Sequence, residues 1–78
     1  MRTPAELQRD VLDELAWEPE IDPATVAVTV RGRDVTLTGA VPTVAGRHAA
    51  ETAARRVWGV RRVANALAVE PAPVLAAV

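Results

Sequence analysis

Five residues in the stretch ARRVWGVRRVANALAV, positions 54 to 69, have the types and spacing that could hold a ligand: Arg55 and Arg56, Trp58, then Arg61 and Arg62. Guanidinium groups pair with phosphate and carboxylate oxygens, and an indole ring is favoured at a lipid–water boundary. Such a corner suits an anionic surface, to which each basic residue adds on the order of 1 kcal/mol. An architectural reading stands beside it. Alternation along a strand sends Arg61 and Arg62 to opposite sides, and Trp58 folds back as a lid over a thin core.

Catalysis finds little support. A nucleophile needs an activating base within hydrogen-bond reach, yet the chain has no Cys, Ser, Lys or Tyr and a single histidine, His48. The spacing predicts His48 on the solvated side of a helix, no catalytic residue is assigned, and no enzyme is expected. Glu18, Glu20 and Asp22 offer oxygens to a hard cation, but they lack the glycine and the bidentate acid of a calcium loop, so they read as a solvated acidic loop. No metal and no cofactor is expected. GRDVTLTG is a strand between glycines rather than a phosphate-cradling turn, and nucleic acid is disfavoured by a net charge of −1 and the lack of an aromatic stacking platform.

The elements that must position these residues are legible from periodicity. Thr3, Pro4 and Glu6 form a capping box with proline at the first helical position. From there Leu7, Val11 and Leu15 repeat every four residues, Leu12 widens the stripe, and Pro19 closes the helix. Val26, Val28 and Val30 alternate with Ala27 and Thr29, RGRD turns at Gly32, and Val35, Leu37, Gly39 and Val41 alternate in a second strand, making a hairpin. A second helix follows from Thr43, its buried side being Ala50, Ala53, Ala54 and Val57, and Arg55 and Arg56 suit its negative dipole end. Val63, Asn65, Leu67 and Val69 then alternate as a third strand. The glycines read as structural: Gly32 in the hairpin turn, Gly39 at a bulge or a close approach of the second helix, Gly59 as the stop of that helix.

The expected fold is therefore α+β: a single small α-β-β-α-β domain, with two helices on one face of a three-stranded mixed sheet, over residues 3–70. Residues 71–78 read as a flexible tail or linker towards a further module. With 78 residues only one thin core is possible, and with two tryptophans as the sole aromatics it must be built from small aliphatic side chains. No apolar run reaches the roughly 20 residues that span a bilayer, and the start lacks the apolar segment of a secretory signal. The expected location is cytoplasmic for the chain as it stands, or periplasmic if it is a piece of an exported precursor. Charge is polarised: residues 1–22 hold seven acidic and two basic side chains, whereas residues 31–62 hold seven arginines against Asp34 and Glu51. Such a dipolar chain is suited to pairing with a copy of itself or a neighbouring module.

With these elements in place, the chain resembles the BON domain, named for bacterial osmotically inducible and nodulation proteins. The likeness lies in the acidic-faced helix ending in LAWEPEID, the valine strand, GRDVTLTGAV, the alanine-rich helix and VWGVRRVANALAV. Gly39, Gly59, Val60 and Asn65 match the family's glycine near the end of the second strand, its Gly-Val pair and its central asparagine. The turn glycine is displaced, Gly32 standing two residues before Asp34. The chain is also similar to the first module of soluble tandem-BON proteins. The resemblance implies a binding module without a catalytic motif, linked to phospholipid binding, envelope maintenance and osmotic stress. Its implied partners are an anionic phospholipid surface or another BON module, with the chain a monomer or weakly self-associating.

Overall fold

The computed structural model describes residues 3–71. Helix α1 runs Pro4–Ala16, strands β1 and β2 run Val26–Arg31 and Asp34–Val41, helix α2 runs Val44–Arg56, and two short strands, β3 Arg62–Asn65 and β4 Ala68–Val69, follow. The expected α+β arrangement is present, and of the tail expected over residues 71–78, residues 72–78 lie outside the described residues.

Helix α1 starts as its capping box dictates. Thr3 Oγ1 accepts the Glu6 N–H at 3.2 Å while the Glu6 carboxylate accepts the Thr3 N–H at 2.9 Å, satisfying two amides that a helix start leaves without partners. Its buried stripe is Leu7, Val11 and Leu15. Leu12, read as widening that stripe, is instead 38% exposed, because the helix rotates the four-residue row onto the sheet and leaves Leu12 at the margin. The loop after α1 buries Ile21 and turns through a 3₁₀ segment, Pro23–Thr25, capped by Asp22.

The sheet has β2 at its centre. Strand β1 pairs with it antiparallel, Val28 opposite Leu37, and β3 and β4 pair parallel with its other edge. Alternation puts Val26, Val28, Val35, Leu37 and Val41 on the helix side, where they meet Leu7, Val11, Leu15, Ala50, Ala53, Ala54, Val57 and Leu67. Along the outer edge, the Val28 carbonyl accepts from the Gln8 side-chain amide at 2.9 Å, so a group that could template pairing with another chain is occupied. Leu7, Leu15 and Leu37 are fully buried, and burial of each such side chain contributes about 2 kcal/mol.

Three glycine positions refine the local reading. Gly32 turns the hairpin at φ 62°. Gly39 has φ 115°, and a side chain there would drive into the Thr25 carbonyl and the Val26 backbone. The close neighbour is thus the start of β1 and not the second helix. Helix α2 approaches instead through Gly46, where a Cβ would lie 3.0 Å from the Glu20 carbonyl oxygen.

Gly59 does not stop α2. The helix ends at Arg56, Val57 turns to extended geometry at φ −70°, ψ 124°, and its side chain enters the core. The Val60 N–H then donates to the Val57 carbonyl at 3.2 Å, with Gly59 at φ 96° in the third position of that turn. A positive φ there is what a type II turn requires.

The third strand, continuous by periodicity, is interrupted at residues 66 and 67. Its two halves keep one edge of β2, since the Ala66 and Glu70 N–H groups donate to the Leu37 and Val41 carbonyls at 2.9 and 2.8 Å.

Candidate functional site

The parallel pairing of β3 with β2 assembles a basic end on the sheet. Asp34 faces Arg31 on β1 and Arg62 on β3 in register, and the Arg61 N–H donates to the Arg33 carbonyl at 2.8 Å. Arg31, Arg33, Arg61 and Arg62, all exposed, therefore stand together at the hairpin end. Asp34 offsets part of this charge: Arg61 Nε and Nη2 donate to its two carboxylate oxygens at 3.2 and 3.3 Å, a two-pronged pair. Arg31, Arg33 and Arg62 form no ion pair among the described residues.

The five residues expected to form one corner divide into two groups. Arg61 and Arg62 join the hairpin arginines. Arg55 is held by Glu51 one helical turn away at 3.1 Å, and Arg56 reaches Glu14 on α1 at 3.8 Å and Glu18, two residues past the end of α1, at 3.5 Å. Arg56 thus ties the end of α2 to the end of α1. Such exposed pairs contribute at most about 1 kcal/mol each.

Trp58 stands between the groups on the Val57–Val60 turn and is 73% exposed, so it is not a lid over the core. Its ring borders a cleft of about 340 Å³ that Asp10, Asp13, Glu14, Arg56 and Val57 also line.

Arg31 and Arg33 belong to this basic end but escape a reading along the chain. They lie some thirty residues before Arg61 and Arg62, and only the return of the third strand parallel to the second, start beside start, unites them. An α-helix between two strands of one sheet is the available signal, since parallel neighbours need a crossover of that kind.

Behind the basic end, Asn65 fixes β3 to α2. Its side-chain amide donates to the Arg47 carbonyl at 2.9 Å, and its Oδ1 accepts the Leu67 N–H at 3.2 Å, replacing ladder bonding where the strand breaks. Arg47 answers by donating to the Asn65 and Leu67 carbonyls at 3.0 and 3.1 Å. Glu51 sits beside this lock. The Arg55 guanidinium first, which donates to it, and the nearby Asn65 side chain second, hold its carboxyl below the usual glutamate range.

At the opposite end of the sheet the charge changes sign. Asp22 and Glu70 flank a groove of about 310 Å³, lined by Thr25, Ala40, Val41, Pro42 and Pro71. His48 is exposed on α2. Among the described residues no cluster of histidines and carboxylates has metal-holding geometry, and no helix is long and apolar enough to cross a membrane.

A family model described as BON domain matches residues 3–71. No curated protein matches the chain.

Proposed function

The chain belongs to the BON domain family, a family of binding modules, and on that premise we propose that it is a non-enzymatic module whose ligand is an anionic phospholipid surface. The contact is the hairpin end of the sheet. The observation that carries this reading is the gathering of Arg31, Arg33, Arg61 and Arg62, all exposed, around the single carboxylate of Asp34.

Net charge at that end gives the scale. Three uncompensated positive charges at about 1 kcal/mol each supply about 3 kcal/mol, roughly a hundredfold preference for anionic over neutral lipid. That suffices for reversible adhesion and falls short of anchoring. Trp58, three residues before Arg61, adds an amphipathic ring suited to the headgroup region. Arg55 and Arg56 add less, because Glu51, Glu14 and Glu18 already neutralise them. On this reading the domain serves envelope maintenance under osmotic stress.

Co-sedimentation with anionic and with neutral vesicles, at low and at high salt, is the test. Binding to anionic vesicles alone, weakened by salt, supports the reading. Equal absence of binding to both vesicle types contradicts it.

A further inference from the structure

Charged groups without a counter-ion among the described residues stand at both ends of the sheet, with opposite sign: Arg31, Arg33 and Arg62 at the hairpin, Asp22 and Glu70 at the other end. The eight residues of β2 separate them, about 25 Å of extended chain. Ionic screening at physiological salt acts over about 8 Å, so neither end neutralises the other within one molecule.

We infer that copies of this chain associate head to tail, the arginine end of one docking into the Asp22–Glu70 groove of the next. The groove has the chemistry that an arginine side chain needs. Ala40, Val41, Pro42 and Pro71 give apolar lining for its three-methylene stem, and the Asp22 and Glu70 carboxylates that share the lining suit the guanidinium. Asp22 already accepts the Ala24 N–H on Oδ1 at 3.0 Å, which fixes the carboxylate while Oδ2 takes no bond from the described residues.

The complementary end is equally well set. Arg31 and Arg62 flank Asp34 across three neighbouring strands, which sets them about 10 Å apart on a rigid sheet end. A second copy is the occupant because one chain carries both halves of the match. Donor and acceptor patches differ, so the contact is heterologous and open, adding copies without a fixed stoichiometry. The contact is small and charged, and the association is therefore weak and salt-sensitive. This inference stands apart from the phospholipid reading, since it requires the acidic groove and that reading does not.

Sedimentation velocity of the whole chain at about 20 mM and about 500 mM salt, across a concentration series, reads it. At low salt the average mass rises with concentration, and high salt weakens association at least tenfold. Asp22→Asn with Glu70→Gln removes the groove's charge, and Arg31→Glu with Arg62→Glu removes the arginine end. Each double variant alone is a monomer, yet an equimolar mixture forms a one-to-one pair and nothing longer, because one groove and one arginine end remain.

Circular dichroism establishes that both variants are folded, and Arg31→Gln with Arg62→Gln substitutes if charge reversal unfolds the chain. A wild-type monomer at millimolar concentration in low salt overturns the inference. So does self-association of either variant at wild-type strength, or failure of the mixture to pair. Vesicle binding retained by the Asp22→Asn, Glu70→Gln variant separates this inference from the phospholipid reading, whichever of the two fails.

Discussion

Asn65 and Arg47 hold each other through both side chain and backbone: the Asn65 amide donates to the Arg47 carbonyl at 2.9 Å, and the Arg47 guanidinium donates to the Asn65 carbonyl at 3.0 Å. This reciprocal contact joins the first turn of α2 to the end of β3. Asn65 lies opposite Leu37 in the same register that places Arg62 beside Asp34. The asparagine that locks β3 to α2 thus stands three residues along the strand from Arg62.

Asn65→Ala removes the amide donor and also the Oδ1 acceptor of the Leu67 N–H. The Asn65–Arg47 bond is exposed, but the partly buried Leu67 N–H left without its partner costs about 1 to 3 kcal/mol, and in a domain of this size each kcal/mol lowers Tm by about 4 to 8 °C. Thermal denaturation followed by circular dichroism is expected to show a fall of that order. An unchanged Tm would show that the lock is dispensable.

Glu51 makes stability dependent on acid. Its folded pKa is depressed by Arg55 and Asn65 below an unfolded value of about 4.3. The stabilisation is therefore fully present above the unfolded pKa and is lost as pH falls through the folded one. Urea denaturation of the wild type and Glu51→Gln at pH 6 and pH 3 reads this: the wild type's advantage at pH 6 shrinks at pH 3. An advantage that stays constant across that range contradicts the assignment.

The glycines differ in what they tolerate. Gly32→Ala meets no atom within 4 Å and suffers only its positive φ, costing about 1 to 2 kcal/mol. Gly39→Ala adds a collision with the Thr25 and Val26 backbone, which no rotamer change relieves. Denaturant midpoints are expected to fall at least twice as far for Gly39→Ala, and equal falls would contradict the packing described.

These positions also show what a sequence can and cannot disclose. The capping box of α1, the valine alternation of the hairpin and the alanine face of α2 are local patterns, and each element forms where its pattern lies. The end of α2 is different. Val57 leaves the helix because its side chain is drawn into the core, so Gly59 serves the turn that follows and not the helix stop. The break after Asn65 depends on Arg47, eighteen residues away, to which no periodicity points.

The candidate site was half legible for a similar reason. Arg61 and Arg62 are visible as a pair, but Arg31 and Arg33 join them only through strand register, while the partners of Arg55 and Arg56 lie on their own helix, on α1 and in the loop after it. The exposure of Trp58 reflects its place in a tight turn, where it has no core to cover.

Trp58 gives an optical test of contact. Trp17 is the other indole, 83% exposed at the end of α1, so Trp17→Phe leaves Trp58 as the sole reporter. Its emission is expected to shift to shorter wavelength when anionic vesicles are added, as an indole does on leaving water for the headgroup region. The Trp58→Phe protein, reporting from Trp17, is expected to shift less. The reverse order would move the contact away from the hairpin end.

The most direct measurement is the affinity for anionic vesicles of the wild type, of Arg31→Glu with Arg62→Glu, and of Arg55→Ala, compared by co-sedimentation at one low salt concentration. With about 1 kcal/mol carried by each uncompensated basic residue, the hairpin variant is expected to lose at least tenfold in affinity. The Arg55→Ala protein, whose arginine is already neutralised by Glu51, is expected to stay within about twofold, as for an exposed pair of little net worth. Wild-type affinity in the Arg31→Glu, Arg62→Glu protein would contradict the claim that the hairpin end is the lipid-binding surface.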